Sequence, residues 1–238
     1  MDPFSPLNLL LGLGINGLIA AVSYRARAVD ISGVIGGLLV GIAIWIGGGW
    51  QGYMLLLTFF IVGTAASRHK YALKAAKGIA QKKGGRRSAK HALANTSVTA
   101  IVGIAHLALP DAIWPLPCMA AGMAAALADT IASELGQLYG KHPISLNNFQ
   151  RVSVGTEGAV SLAGTVLGGL GGALIAALAF VLGLVDGSGV LLVSLAALVA
   201  IHFESVLGGI FDIWHLDPNE TLNFTQTAAA ALIVYALI

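Results

Sequence analysis

Long apolar runs with almost no charge are the feature that most limits how this chain can fold. About eight can be drawn, at roughly 5–22, 31–47, 50–66, 95–109, 113–138, 159–184, 189–208 and 223–238. Charged residues make up only 10% of the sequence, whereas soluble domains contain roughly 25%. A helix of about 20 apolar residues crosses the hydrocarbon core of a bilayer. The sequence therefore predicts an all-α, polytopic transmembrane bundle of about seven or eight helices, forming one domain over residues 1–238.

Glycine is frequent, with 31 in 238 residues, and part of it is periodic. Two sets repeat at every fourth residue: Gly33, Gly37 and Gly41, and then Gly164, Gly168 and Gly172. Small residues at this spacing allow membrane helices to approach closely. They pack helices within a chain as readily as between chains, so the pattern is compatible with a monomer and with a homodimer. The glycines at 47–49 predict a tight hairpin between the second and third runs.

All positive charge falls on one side of the predicted bundle. With eight spans and the N-terminus outside, every one of the 13 Lys and Arg residues lies in the loops 23–30, 67–94 and 139–158. The opposite loops contain Asp111 and Asp186 and no cation. The positive-inside rule then predicts that the basic loops are cytoplasmic. This rule holds in a plasma membrane and in a thylakoid membrane alike.

The N-terminal segment differs from a secretory signal. The first 24 residues contain no Lys or Arg, so the basic region that begins such a signal is missing. We therefore expect the first helix to be retained as a membrane anchor.

The basic loop 67–94 allows two compatible interpretations. Lys70, Lys74 and Lys77 have helical spacing and predict a cytoplasmic extension of the third helix. The Gly-Gly-Arg-Arg sequence at 84–87 precedes the next helix, where backbone N–H groups and cations can hold phosphate. The loop can equally anchor the topology by resting on anionic lipid headgroups.

Two acids interrupt the end of the fifth apolar run. Asp129, Ser133 and Gly136 share one face of the predicted helix, and Glu134 lies on a neighbouring polar row. Ionisable groups in a membrane segment are costly and usually functional. The alternative is a structural carboxylate that is satisfied by Lys141 or by a neighbouring Ser.

The following polar loop adds cations, glycines and another acid. Lys141 and Arg151 supply positive charge, and Thr156 is predicted to cap the sixth helix. Glu157 would lie in the first turn, where it could also simply complement the helix dipole. Carboxylates suit a metal ion, whereas N–H groups and cations suit phosphate. Residues 129–158 therefore predict a site for a metal-bound nucleotide.

Other polar residues lie near the last two helices. Glu204 and Ser205 would line the same membrane edge or be buried hydrogen-bonded partners, and Asn223 would line the site or cap the last helix. Asp212, His215 and Asp217 are more typical of a solvated loop than of a metal site.

Several common chemistries have no signature in this sequence. There is no Gly-x-x-x-x-Gly-Lys-Ser/Thr loop and no Gly-x-Ser-x-Gly elbow, and we expect no nucleic-acid partner. Cys118 is the single cysteine, which excludes an internal disulfide and a thiolate metal cluster.

The strings Asp-Thr-Ile-Ala-Ser-Glu-Leu-Gly at 129–136 and Arg-Val-Ser-Val-Gly-Thr-Glu-Gly at 151–158 resemble an integral-membrane family that was long without a known function. That family includes phytyl-phosphate kinases of plants and cyanobacteria. Its pattern is also similar at Gly85, Arg86, Arg87, Asn95, Glu204, Ser205, Gly208 and Asn223. The resemblance covers roughly residues 30–230.

A more distant resemblance is to dolichol and phytol kinases and to CTP-dependent cytidylyltransferases. Their Asp-x-x-Ala-x-x-x-Gly-x-x-x-Gly pattern is matched by Asp129, Ala132, Gly136 and Gly140. Their Lys-Thr-x-Glu-Gly pattern is matched only in its last two residues, at 157–158, since Val and Gly stand at 154–155.

The resemblance implies an isoprenyl-phosphate kinase that converts phytyl phosphate, or a similar prenyl monophosphate, to the diphosphate, as in tocopherol biosynthesis. It implies Mg²⁺ on Asp129, Glu134 and Glu157, with a nucleoside triphosphate, CTP favoured, as donor. Lys141 and Arg151 complete the catalytic set. The residues implied in nucleotide and phosphate binding are Gly85, Arg86, Arg87, Asn95, Ser133, Gly136, Gly140, Gly155, Thr156, Gly158, Glu204, Ser205 and Asn223.

Three alternatives stay open at this point. Within the enzyme class, the chain could be a polyprenol kinase or a cytidylyltransferase. A transporter would use the intramembrane acids as an ion site, and a structural protein would only bind membrane lipids. The acids lie at the same predicted edge as the cations, which favours the enzyme.

Overall fold

The computed structural model describes residues 3–213 and 219–238, except for the side chains at 82, 83, 212 and 213. Within this part the chain forms eight α-helices: α1 (Pro6–Arg25), α2 (Ile31–Arg68), α3 (Tyr71–Ala76), α4 (Ala89–Ala108), α5 (Pro115–Tyr139), α6 (Leu162–Val181), α7 (Gly187–Ile213) and α8 (Asn219–Leu237). Five of them, α1, α2, α5, α6 and α7, are long and apolar enough to cross a membrane. The predicted all-α transmembrane bundle is confirmed.

Helix α2 is folded back on itself as a hairpin. Gly49 has φ 66° and ψ −172°, which interrupts the helix. The rings of Trp45 and Tyr53 then meet edge to face with centroids 5.5 Å apart. A Cβ at Gly41 would lie 3.3 Å from the Tyr53 ring, although twelve residues of straight helix would span about 18 Å. The hairpin predicted from the glycines at 47–49 is therefore confirmed.

Helix α5 is the buried centre of the bundle. Every residue from 118 to 128 is buried, and the helix packs against α2, α4, α6, α7 and α8. Most of these residues are alanine, glycine or methionine, so the neighbouring helices can approach its backbone. The Cys118 thiol donates a hydrogen bond to the Ala231 carbonyl oxygen at 3.3 Å, which joins α5 to α8.

The two glycine ridges have different surroundings. The ridge on α6 faces α5, since a Cβ at Gly168 would lie 2.9 Å from the Ala128 carbonyl oxygen. The three glycines of the ridge on α2 have different neighbours. Gly33 abuts the Arg87 carbonyl, Gly41 abuts the Asn16 side chain, and a Cβ at Gly37 would meet no heavy atom within 4 Å.

One end of the bundle gathers the polar connections, and we call it the basic end. It consists of the linker 26–30, residues 69–88 and the loop 140–161. Within it, α3 and a 3-10 turn (Lys82–Gly85) follow α2, and β1 (Ile144–Ser145) pairs antiparallel with β2 (Ala159–Val160). The linker and the second segment are tied together, because the Arg87 N–H donates to the Ala28 carbonyl oxygen at 2.9 Å.

Three local predictions are wrong. The third helix is not extended through the lysines, because Lys70 has a left-handed conformation (φ 48°) that ends it and starts the separate α3. Thr156 does not cap α6, because residues 159–160 form β2 and Ser161 accepts the capping bond from the Gly164 N–H at 3.1 Å. Helix α4 begins at Ala89 rather than near 95, so the basic loop is shorter than predicted.

The close approach of α6 to α5 predicts a sharp difference between two adjacent glycines. Gly168→Ala would place a methyl group against the Ala128 carbonyl, and we expect a loss of about 1–3 kcal/mol of stability from overpacking. Gly169→Ala is the matched control, since its Cβ would lie 3.6 Å from Leu198, an ordinary contact. Thermal unfolding in detergent measures both, and equal melting temperatures would contradict the packing described here.

Candidate active site

Three carboxylates from separate elements converge at the basic end. Asp129 on α5 interacts electrostatically with Glu157 of the loop 140–161, and Glu204 on α7 interacts with both. The Ser133 hydroxyl donates a hydrogen bond to Asp129 Oδ1 at 3.3 Å. Like charges brought together at the edge of an apolar bundle raise each other's energy. This acid group therefore has the electrostatic character of a cation-binding site.

Glycines bring Glu157 to helix α7. Gly158 has φ 70°, and a side chain there would overlap the backbone of Ser205 and Gly209. The Glu157 Cγ lies 3.5 Å from the position of a Cβ on Gly208. The loop backbone thus rests directly on the α7 backbone, which sets Glu157 beside Glu204.

A buried ion pair joins α3 to α5. Lys74 is 0% exposed and Glu134 is 4% exposed, and the Lys74 ammonium donates to Glu134 Oε2. The same ammonium donates to the carbonyl oxygens of Ala66 at 3.1 Å and Ser67 at 2.8 Å. Its three protons are therefore all used, two of them at the last turn of α2, where a cation also complements the helix dipole.

The second carboxylate oxygen of Glu134 makes no hydrogen bond with the described residues. This atom, Oε1, is buried. A buried oxygen in this state costs free energy unless it meets a donor or a cation. The sequence predicted Glu134 as a metal ligand, and the structure shows that its other oxygen is engaged by Lys74.

Arg87 is the second cation next to the acids. Its guanidinium lies over the Phe59 ring, 4.8 Å from the centroid, and interacts electrostatically with Glu134 and Asp129. Burial lowers the pKa of Arg87 to about 10, and the two carboxylates oppose that shift. The guanidinium therefore stays charged at neutral pH. Gly63 makes room for it, since a Cβ there would lie 2.5 Å from Nη2.

Several predicted site residues are exposed or serve the packing. Arg86, Lys141 and Arg151 are exposed on the surface of the basic end. Gly136 and Gly140 let α5 meet the start of α6, at Gly164 and Ser161 respectively.

The remaining predicted residues make local contacts. Asn95 is buried on α4 and donates to the His91 carbonyl oxygen at 2.9 Å, while Asn223 donates to Asn219 Oδ1 at 3.0 Å. Ser205 bonds its own helix at the Ile201 carbonyl oxygen, 2.9 Å away. Gly85 and Gly155 have positive φ angles of 74° and 93°, which shape the turns of the basic end. Thr156 is half-buried in the loop 140–161, next to Gly155 and Glu157.

Sequence reasoning missed the role of Lys74. It is one of nine cations in a single loop, and its spacing does not separate it from Lys70 and Lys77. Its partner Glu134 is 60 residues away in sequence. One signal was available in the sequence. Asp129 and Glu134 lie in an apolar run, 113–138, that contains no Lys or Arg, so their counter-charges had to come from other segments.

The residues fit a divalent cation by donor type. Carboxylate oxygens are the ligands that Mg²⁺ takes in proteins, and Asp129, Glu157 and Glu204 provide them within electrostatic reach of one another. Within residues 3–213 and 219–238, however, no three His, Cys, Asp or Glu side chains are already arranged to hold one metal ion. His215 and Asp217 lie outside the described residues, as does the side chain of Asp212.

Comparisons with known proteins identify relatives along most of the chain. A family model described as "Integral membrane protein DUF92" matches residues 14–231. An uncharacterized membrane protein of Synechocystis sp. is 34% identical over 84% of this chain and 78% of its own length. One of Methanocaldococcus jannaschii is 31% identical over 95% and 93%.

A plant protein is also similar. The chloroplastic protein VTE6 of Arabidopsis thaliana is 31% identical over 76% of this chain and 55% of its own length. No solved structure matches this chain.

The buried pair predicts a strong coupling between Lys74 and Glu134. Lys74→Met leaves a buried carboxylate without its counter-charge, and we expect the free energy of unfolding to fall by about 3–5 kcal/mol. Adding Glu134→Leu removes the stranded charge and should recover much of that loss. Unfolding of purified protein in detergent measures Lys74→Met, Glu134→Leu and the double variant. Lys77→Met is the control because Lys77 is exposed, and simple additivity of the two changes at 74 and 134 would refute the coupling.

Proposed function

This chain belongs to the integral membrane family DUF92, and we propose that it is a membrane-embedded isoprenyl-phosphate kinase. It would transfer a phosphoryl group from a nucleoside triphosphate to a prenyl monophosphate such as phytyl phosphate. The observation that supports the proposal is that Asp129 interacts electrostatically with Glu157, with Glu204 and with Arg87 at one end of an apolar bundle. Acids and a charged guanidinium are what a metal-bound nucleotide and a phosphate require.

The reaction asks little covalent chemistry of the protein. The bond between the γ-phosphorus and the β–γ bridging oxygen breaks, and a bond forms from the same phosphorus to an oxygen of the lipid phosphate. The products are a nucleoside diphosphate and the lipid diphosphate. The acceptor oxygen is already ionised at neutral pH, so no general base is needed, and positioning with electrostatic stabilisation suffices.

Each group at the basic end has a role in this proposal. Asp129, Glu157 and Glu204 would hold Mg²⁺, which would neutralise negative charge on the phosphates of the nucleotide. Arg87 would bind the acceptor phosphate through the planar donor pair of its guanidinium. Lys74 would hold Glu134 in place beside the acids and fasten α3 over the site.

The exposed cations and the loop glycines would serve the nucleotide. Arg86, Lys141 and Arg151 lie where a triphosphate would arrive from the aqueous side, and they would attract it by charge. The donor is proposed as CTP from the distant resemblance to CTP-dependent kinases. The Val154 and Gly155 positions differ from that pattern, so the nucleotide is determined by assay with each triphosphate.

The proposal predicts a lipid diphosphate as product. Purified protein with Mg²⁺ and phytyl monophosphate should convert it with at least one labelled triphosphate. Asp129→Asn should lower the rate at least about 100-fold, the low end of what electrostatic catalytic groups contribute. Asp111→Asn is the matched control, since Asp111 is exposed in the connection between α4 and α5.

The same assay can reject the kinase. No diphosphate with any of the four common triphosphates, from protein with an intact unfolding transition, would overturn the proposal. Retention of full activity by Asp129→Asn would remove the acid group from the mechanism. Mg²⁺-independent binding without turnover would instead favour transport or lipid binding, and Asp129 would then be tested in a flux assay.

We also propose that the basic end faces the cytosol, following the positive-inside rule. Cys118 is buried, so a single introduced cysteine reports its own location. In intact cells, a cysteine replacing Asp111 should react with an impermeant maleimide, and one replacing the exposed Lys77 should react only after lysis. The reverse pattern would contradict this orientation.

A further inference from the structure

A cleft lies next to Arg87, between α1, both arms of the α2 hairpin and the start of α4. Most of its lining is apolar, and it includes Ile19, Val34, Leu38, Leu56 and Phe60. The lining of the first α2 arm runs from 33 to 40, a rise of about 10 Å along the helix. The cleft therefore extends from the basic end into the apolar part of the bundle.

The cleft exists because small residues face it. A side chain at Gly37 would meet no heavy atom within 4 Å, and Gly37 borders the cleft. Helices in a bilayer associate through close contact, and here α1 and the α2 arms leave space instead. An apolar cleft in a lipid environment is filled by a hydrocarbon chain, since its lining otherwise lacks contacts.

The charge at the end of the cleft specifies the kind of chain. Arg87 lines the cleft, and its guanidinium also interacts with Asp129 and Glu134. A guanidinium favours phosphate or carboxylate with paired oxygens. One apolar cleft beside one guanidinium matches a lipid with a single hydrocarbon chain and an anionic end group.

We propose that this cleft holds the isoprenoid chain of the lipid monophosphate, with its phosphate on Arg87 and its acceptor oxygen turned toward the acid group. The inference deepens the proposed function and rests on it for the identity of the lipid. Gly37 lies partway along the cleft, where its missing side chain leaves room for the hydrocarbon chain. Arg87 is the point at which the chain site and the phosphate-transfer site meet.

The test fills the cleft without disturbing the packing. Gly37→Phe should fill the space beyond the first part of the chain, and Gly17→Phe is the matched control. Gly17 is exposed on α1, has no heavy atom within 4 Å of a Cβ position, and lies outside the lining. Both changes replace a helical glycine by the same residue, and unfolding in detergent checks that both proteins are intact.

Binding is measured in phosphatidylcholine nanodiscs by competition against radiolabelled phytyl monophosphate. Gly37→Phe should weaken binding of the twenty-carbon phytyl monophosphate at least about tenfold, since each buried methylene group lost weakens binding roughly fourfold. The ten-carbon geranyl monophosphate should lose much less. Gly17→Phe should bind both as the unchanged protein does. Arg87→Gln should reduce the preference for phytyl monophosphate over phytol.

The outcomes separate this inference from the kinase proposal. In one outcome, the unchanged protein binds phytyl monophosphate but makes no diphosphate, and Gly37→Phe weakens that binding. The cleft assignment then stands and the kinase proposal fails. If Gly37→Phe binds and phosphorylates the long chain as well as Gly17→Phe does, the cleft assignment is overturned and the kinase stands. If phosphatidic acid displaces the label better than any isoprenyl monophosphate, the occupant is a membrane phospholipid and the assignment is overturned.

Discussion

The close contact between α5 and its neighbours is the constraint on which the rest of the structure depends. Helices in a bilayer gain little from burying apolar surface against each other, because lipid is equally apolar, so they rely on packing and polar contacts. Here α6 meets α5 through Gly164, Gly168 and Gly172. That approach fixes the end of α5, and with it the position of Asp129 and Glu134.

The negative charge of the acids at the polar end of the bundle is balanced by cations of the same chain. Two cations, Lys74 and Arg87, face the acids from segments that precede α5 in the chain. Lys74 also donates to the Ser67 carbonyl oxygen at the end of α2, and it shares the Ala66 carbonyl oxygen with the His69 N–H. The same arrangement that makes the acids tolerable also surrounds them with phosphate-binding chemistry, and stability and the proposed activity therefore rest on the same contacts.

The sequence predicted most of the architecture, because membrane-spanning helices can be recognised from long apolar runs. The fifth segment, predicted at 113–138, is Pro115–Tyr139 in the structure, and the hairpin follows from the glycines at 47–49. The connections were harder. Thr156 looked like a cap, and only the pairing of β1 with β2 shows that α6 starts at Leu162. Lys74 could not be singled out, because its burial depends on a left-handed Lys70 and a partner far away in the chain.

Arg87 is fastened on both sides, by its backbone to the linker at Ala28 and by its side chain to Phe59. The cleft and the acid group therefore share one fixed reference point and otherwise use separate residues. Under the proposed function, the length of the lipid would therefore be set by lining positions such as Gly37, independently of the acids proposed to hold the metal-bound nucleotide.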